Sequence, residues 1–319
     1  YVGLNAGFRN ITGLNNMFLG TYAGFSNTSG KNNVYIGGQA GNDASTGNNN
    51  VILGYQCGRY IGDGTNNVFM GHYAAYLNDG NNNVMLGTDA GYHSKGSDNV
   101  ILGYYAGRQN SSGQQNVILG TNAGQYSEGS SNVLLGVNAG QNTQRNENIY
   151  IGTGAGQNNE NGMHNVVIGN NAGQISEGSS NIFIGLNAGQ NTMFNNNIFL
   201  GYNAGKANTT GSNNIFLGVQ AGLENEGGVN NIFMGTSAGV ANKTGRNNVF
   251  IGEGTGSDNF DGRNNIFIGG YAGKSNGSGN SNVFLGPLTG QGNSIGSQNI
   301  FLGDSAGSLN STGSNNIFL

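Results

Sequence analysis

Tryptophan is absent from this 319-residue chain, and cysteine and proline occur once each, as Cys57 and Pro287. One cysteine cannot build a disulfide framework. One proline, with no glycine at every third position, excludes a collagen helix. Charge is scarce too: eleven basic and fifteen acidic residues make up 8% of the chain and leave a net charge of −4. So few cations, nowhere clustered, form no stripe for nucleic acid. No apolar run is long enough to cross a bilayer as a helix, so membrane insertion is not expected. The dearth of cysteine is compatible with a place outside the cell.

Glycine is abundant, at 62 residues. Each glycine inside a helix costs roughly 1 kcal/mol against alanine, so helices are not expected. The glycines fall in a pattern: Asn-[Val/Ile]-apolar-[Leu/Ile/Met]-Gly-x-x-Ala-Gly recurs from end to end at spacings of 16 or 17 residues. Nineteen anchor glycines, from Gly3, Gly20 and Gly37 to Gly303, follow the apolar triplets. Alanine stands three residues after the anchor except at Cys57, Thr255 and Thr289, and glycine follows it except at Ala75. A looser glycine (Gly13, Gly30, Gly47) closes the other turn, where the one-residue length variation falls. A composition rich in Gly, Asn and Ser is usual for disorder, but regularly placed apolar triplets argue against it.

Self-similarity at a short fixed period means stacked units that bury apolar surface against their neighbours. A triplet bounded by Asn and Gly is too short for a helix and reads as a buried strand. The expected fold is all-β: a parallel β-solenoid of about nineteen coils, two short strands per coil, in one array over residues 1–319 with both ends cut inside a repeat. Coils stacked at about 4.8 Å would give a rod of about 90 Å. Ends inside a triplet suggest a segment of a longer array or a subunit that stacks end to end, since open strand edges are templates.

Four residues before each anchor stands an asparagine: Asn16, Asn33, Asn50, Asn67, Asn83, Asn99, Asn116, Asn132, Asn148, Asn165, Asn181, Asn197, Asn214, Asn231, Asn248, Asn265, Asn282 and Asn299, with Asn316 opening a last unit. Stacked amides can hydrogen-bond along the array, and asparagine tolerates the left-handed conformation of a tight corner. The methyl of the recurrent alanine suggests a narrow coil, and the glycine after it a turn with positive φ or a close backbone approach.

Side chains of a triplet alternate faces. The middle position is apolar throughout and aromatic at Tyr1, Phe18, Tyr35, Phe69, Tyr150, Phe183, Phe199, Phe216, Phe233, Phe250, Phe267, Phe284, Phe301 and Phe318. A thin coil buries one face, and the other forms an apolar stripe larger than soluble monomers expose. The expectation is lateral burial against identical chains, closed as a homotrimer. Which face lines the coil is left open by the sequence, and a wider coil burying both is the alternative. The aromatic column is the expected stripe, so aspartate at Phe216, Phe233 and Phe250 together is expected to split the oligomer or prevent its assembly.

The segments Asn33-Val-Tyr-Ile-Gly37, Asn265-Ile-Phe-Ile-Gly269 and Asn203-Ala-Gly-Lys-Ala-Asn-Thr-Thr-Gly-Ser-Asn-Asn-Ile-Phe-Leu-Gly218 resemble the repeats of bacterial and phage tail-fibre-domain proteins. They also resemble the head of YadA-like trimeric autotransporter adhesins. That resemblance, which runs along the whole chain, implies a left-handed parallel β-roll, trimerisation and an extracellular adhesive or fibrous role. Adhesin heads have shorter units and a small residue where this chain has Phe or Tyr, so their interface geometry does not carry over directly. The anchor and chaperone domains of those families are not present in this sequence.

No constellation of residues points to catalysis, a metal or a cofactor. His72, His93 and His164 occupy different repeat positions, whereas a metal needs clustered ligands. Asp43, Asp63, Asp79, Asp258 and Asp261 lie in the variable turn without the Gly-Gly-x-Gly-x-Asp pattern of a calcium roll. Glu224 with Glu226, and Asp258 with Asp261, are the nearest carboxylate pairs for glycoside chemistry. Asn-x-Ser/Thr triplets begin at Asn10, Asn27, Asn110, Asn208, Asn242, Asn276 and Asn310, in what reads as the outer turn. Threonines are too irregular for an ice-binding array. The expected function is a non-enzymatic extracellular, cell-surface or virion-appendage fibre, adhesin shaft or filament subunit, with a host or surface glycan as a further partner. The alternative is a carbohydrate-binding or carbohydrate-cleaving tailspike.

Overall fold

The computed structural model describes residues 1–319 and is all-β, a parallel β-solenoid with no helix. It comprises two compact units, Tyr1–Glu160 and Asn161–Leu319. The first carries strands β1 (Met17–Leu19) to β9 (Ile149–Ile151), and the second β10 (Val166–Ile168) to β19 (Ile317–Phe318). Within each unit successive strands pair in parallel and like sits on like. Phe18 faces Tyr35, and Tyr35 faces Ile52, in the first unit. Phe199, Phe216, Phe233 and Phe250 align in the second.

Each coil has one regular strand, not two. The reason lies in the Gly-x-x-Ala-Gly segment. Its second x and its last glycine both hold φ near +57, as at Asn203 (56°) and Gly205 (57°), so β dihedrals are closed to it. It nevertheless bonds from coil to coil: Gly205 N–H donates to Ala221 O at 3.0 Å, and Ala207 N–H to Leu223 O at 3.0 Å. The backbone is therefore satisfied on this side without a strand.

The middle residues of the triplets point inward. Phe183 through Phe301 in the second unit are fully buried, and their rings stack at centroid distances of 4.7–5.1 Å. Opposite them stand the alanine column, also fully buried, and the glycine after it. A Cβ on Gly222 would lie 2.4 Å from the Phe216 ring, so the ring occupies the space that the missing side chain leaves. The interior is thus one aromatic ring wide. The Phe and Tyr column, expected as the lateral stripe, is instead the core, because flat rings opposite methyls and glycines fill so narrow a coil. The flanking first and third positions form the outward apolar face.

Ala75 is the one departure from glycine in that second column, and it holds φ 50°. Left-handed backbone costs a residue with a Cβ roughly 1–2 kcal/mol, while glycine's extra chain entropy offsets about 0.5–1 kcal/mol. Ala75→Gly is therefore expected to raise stability by roughly 0.5–1 kcal/mol, read as a higher midpoint in urea. A lower midpoint would show that the methyl packs favourably enough to outweigh the strain.

A second inward column lies seven residues after each anchor, and it tracks coil length. Coils of 17 residues carry asparagine there (Asn10, Asn27, Asn110, Asn159, Asn208, Asn225, Asn242, Asn259, Asn276, Asn293), apart from Ala44 and Ile61. Coils of 16 residues carry Ser94, Ser127, Thr143, Ser176 or Thr192, apart from Asn78. The asparagine amide reaches across the turn, Asn208 Nδ2 donating to Gly211 O at 2.8 Å. It also reaches the preceding coil, Asn225 Nδ2 donating to Asn208 Oδ1 at 2.6 Å. A hydroxyl is too short to span the longer turn, and those coils drop one residue.

Candidate interaction surfaces

The invariant asparagines form ladders, through amide-to-backbone bonds more than amide-to-amide ones. Asn231 N–H donates to Asn214 Oδ1 at 3.0 Å, and Asn214 Nδ2 donates to Gly228 O at 2.8 Å. The pattern repeats in the first unit, where Asn50 N–H donates to Asn33 Oδ1 at 2.9 Å and Asn50 Nδ2 to Gly64 O at 2.8 Å. Each side chain ties two backbone groups of neighbouring coils, and removing one would orphan buried donors and acceptors at about 1–3 kcal/mol each. Ladder asparagines do not take the left-handed conformation. The residue before each does, as at Asn32 (φ 58°) and Asn247 (φ 57°). These neighbours make a third, exposed ladder, Asn230 Nδ2 donating to Asn247 Oδ1 at 3.1 Å.

Outward triplet residues stay partly open in both units. Ile182, Ile184, Ile266 and Ile268 keep 36–41% of their surface. In the first unit Val117 and Ile149 keep 36% and 37%. Stacked in register, they make an aliphatic strip on the one strand-bearing side of the coil.

Residues singled out for chemistry are dispersed or closed off. No three His, Cys, Asp or Glu side chains converge on a metal position. Glu224 and Glu226 are exposed on either side of the buried Asn225, and Glu226 lies 3.7 Å from Lys243. Asp258 is exposed beside the buried Asn259, whereas Asp261 is part-buried and lines a shallow depression with Arg263, Asn264, Ser278 and Asn280. Neither pair brings its two carboxylates together in one cleft. The Asp63 carboxylate accepts the Ser45 and Thr46 hydroxyls at 2.6 and 2.7 Å, which hold it below the usual carboxylate range. Cys57 sits in the alanine column with no exposure, and burial pushes its thiol up to about 12. Thr255 and Thr289, in that same column, donate to Gly269 O and Gly303 O, each at 2.7 Å.

The Asn-x-Ser/Thr asparagines belong to the second inward column, not to an outer turn. Asn27, Asn110, Asn208, Asn242 and Asn276 have no exposed surface. Asn242 Nδ2, the atom a glycan would occupy, donates to Asn225 Oδ1 and Gly245 O. A glycan on any of these five is incompatible with the folded coil.

One cluster escaped the repeat-based reading. In the first unit the coils anchored at Gly54, Gly71, Gly87 and Gly103 gather tyrosines, arginines and two of the three histidines on one corner. Tyr76 and Tyr92 stack at 4.8 Å with 5° between planes. Arg59 lies 6.0 Å over Tyr76, and Arg108 5.2 Å over Tyr92. His72 stacks on Tyr55 at 5.7 Å. His93 adjoins Tyr92, and burial with the nearby Arg108 and Lys95 holds its pKa low. The signal in the sequence was local density of Tyr, His and Arg at positions that elsewhere carry Gln, Asn, Ser and Thr. No protein-family model matches this chain, and comparison with curated proteins finds no relative.

Proposed function

We propose that this chain is a non-enzymatic structural element, a fibre or shaft segment that assembles with copies of itself through the aliphatic strip. The observation that carries the reading is that strip. Two partly exposed aliphatic side chains per coil, repeated coil after coil within each unit, add up to more than the few hundred Å² of contiguous apolar surface that soluble monomers leave open. A regular strip is self-complementary, so a closed cyclic oligomer buries it on every copy. A homotrimer outside the cell is the arrangement in keeping with the adhesin-like and fibre-like repeats. The solenoid supplies mechanical continuity within each unit, since ladder bonds run along the stacking direction and those joining two adjacent coils share a load applied along it.

Light scattering on the purified chain tests the proposal. The native mass is expected to be a small multiple of the single chain. Changing Ile198, Leu200, Ile215 and Leu217 to threonine, all outward, is expected to keep the circular dichroism spectrum and lower the mass towards one chain. A wild-type protein that stays monomeric at high concentration would end the reading.

A further inference from the structure

The tyrosine corner of the first unit exceeds what stacking requires. Sixteen outward positions there, four in each of four coils, hold seven tyrosines, two arginines and two histidines. In the three coils that follow, the same central column is a glutamine ladder, Gln141 Nε2 donating to Gln125 Oε1 at 2.9 Å and Gln157 Nε2 to Gln141 Oε1 at 3.0 Å. Glutamine therefore satisfies that column, and the fold has no need of rings in it. We propose that this corner is a binding site for a short, extended oligosaccharide lying along the stacking direction across Arg59, Tyr76, Tyr92 and Arg108, with Tyr73 and Tyr105 beside them.

Size, charge and register each narrow the occupant. Four coils at about 4.8 Å per rung give a patch some 15–20 Å long and one corner wide. That is far below the roughly 800 Å² per partner of a stable protein–protein contact. Arg108 pairs with Asp89 at 3.6 Å and Asp43 lies one coil before Arg59, so that even with Lys95 nearby the corner carries little uncompensated charge and a polyanion gains little. An extended peptide advances about 3.3 Å per residue and falls out of step with rungs of about 4.8 Å. A linear chain of pyranose rings advances per ring by close to one rung. Tyr76 and Tyr92 cover each other's faces along the stack, so edges and hydroxyls are what the column presents. Tyr55 and Tyr104, each 49% exposed, leave more of their rings open. Those open ring faces, which carry the negative side of the aromatic quadrupole, suit the C–H faces of a sugar. Tyrosine hydroxyls, which donate and accept, and guanidinium N–H groups suit its hydroxyls.

Titration calorimetry and two-dimensional NMR of the whole chain with cellotetraose and chitotetraose, with maltotetraose as a curved comparator, test the proposal. Binding of at least one extended tetrasaccharide is expected, with Tyr and Arg signals of this corner shifting. Joint Tyr76→Ser and Tyr92→Ser substitution is expected to weaken it at least tenfold without lowering the melting temperature by more than a few degrees. Should that variant lose its fold, Tyr76→Phe with Tyr92→Phe keeps the stack, removes the hydroxyls and is still expected to weaken binding. Joint Gln141→Ser and Gln157→Ser substitution is expected to change nothing. Failure of both extended tetrasaccharides to bind at millimolar concentration, equal binding by the serine variant, or tighter binding of a tyrosine-contacting peptide would overturn it. None of these results depends on the oligomeric state.

Discussion

A chain in which Phe233 is replaced by alanine is expected to lose about 3–5 kcal/mol of stability, the usual cost of emptying a buried phenylalanine site. Phe233 has no exposed surface and stacks on Phe216 at 4.9 Å and on Phe250 at 4.8 Å, so the cavity opens in the middle of a column. Joint aspartate substitution at Phe216, Phe233 and Phe250 goes further. Three carboxylates would sit in a one-ring-wide interior whose walls are methyls and glycine backbone, where charge has no partner. The expected result is unfolding of the coils involved, not the release of intact monomers. Stacked repeats hold mainly through nearest neighbours, so urea titration followed by circular dichroism is expected to show a broadened transition as well as an earlier one. Native ellipticity with an unchanged midpoint and a halved or thirded mass would instead mean that these rings lie between chains.

The contrast between the two faces of the triplet shows where sequence reading ran out. Period, strand position, anchor glycines and the asparagine ladder were all legible, because each depends on local pattern. The inward direction of the phenylalanines was not. Both faces are apolar at Ile215-Phe216-Leu217, and hydrophobicity alone does not rank them. Width sets what the inward slot accepts: between the alanine column and the glycine after it there is room for flat rings stacked at about the strand spacing, and Ile52, Ile101, Ile118 and Leu134 fill the same slot in the first unit. Asn208, like the other Asn-x-Ser/Thr asparagines, was placed in an outer turn for a related reason. It sits among Lys, Thr and Gly, the composition of a solvated loop, yet its amide turns in to close the longer coil. The tyrosine corner was visible as density of residue types, but its meaning depends on which positions share a column, and only the stacking register shows that.

Glycine-to-alanine substitutions at two neighbouring kinds of site are expected to differ in sign. Gly235 is an anchor with φ 138°, a region essentially reserved for glycine, and a Cβ there would lie 2.4 Å from the carbonyl oxygen of Gly252 in the next coil. That obstacle is backbone held by the ladder, so it cannot swing aside as a side chain could. Backbone strain of about 1–3 kcal/mol adds to the collision. Gly235→Ala is therefore expected to lower stability by at least about 3 kcal/mol, or to prevent this stretch of the second unit from stacking. Gly270, directly after the anchor Gly269, has ordinary backbone and nothing within 4 Å of a built Cβ. Gly270→Ala is expected to be neutral or to stabilise by about 0.4–1 kcal/mol, through a less flexible unfolded chain. Thermal and urea melts of the two variants decide the matter. Equal effects would mean that consecutive anchors are not packed backbone on backbone, and with that contact gone the coil spacing that aligns the asparagines and the phenylalanine column would have no steric basis at the anchor.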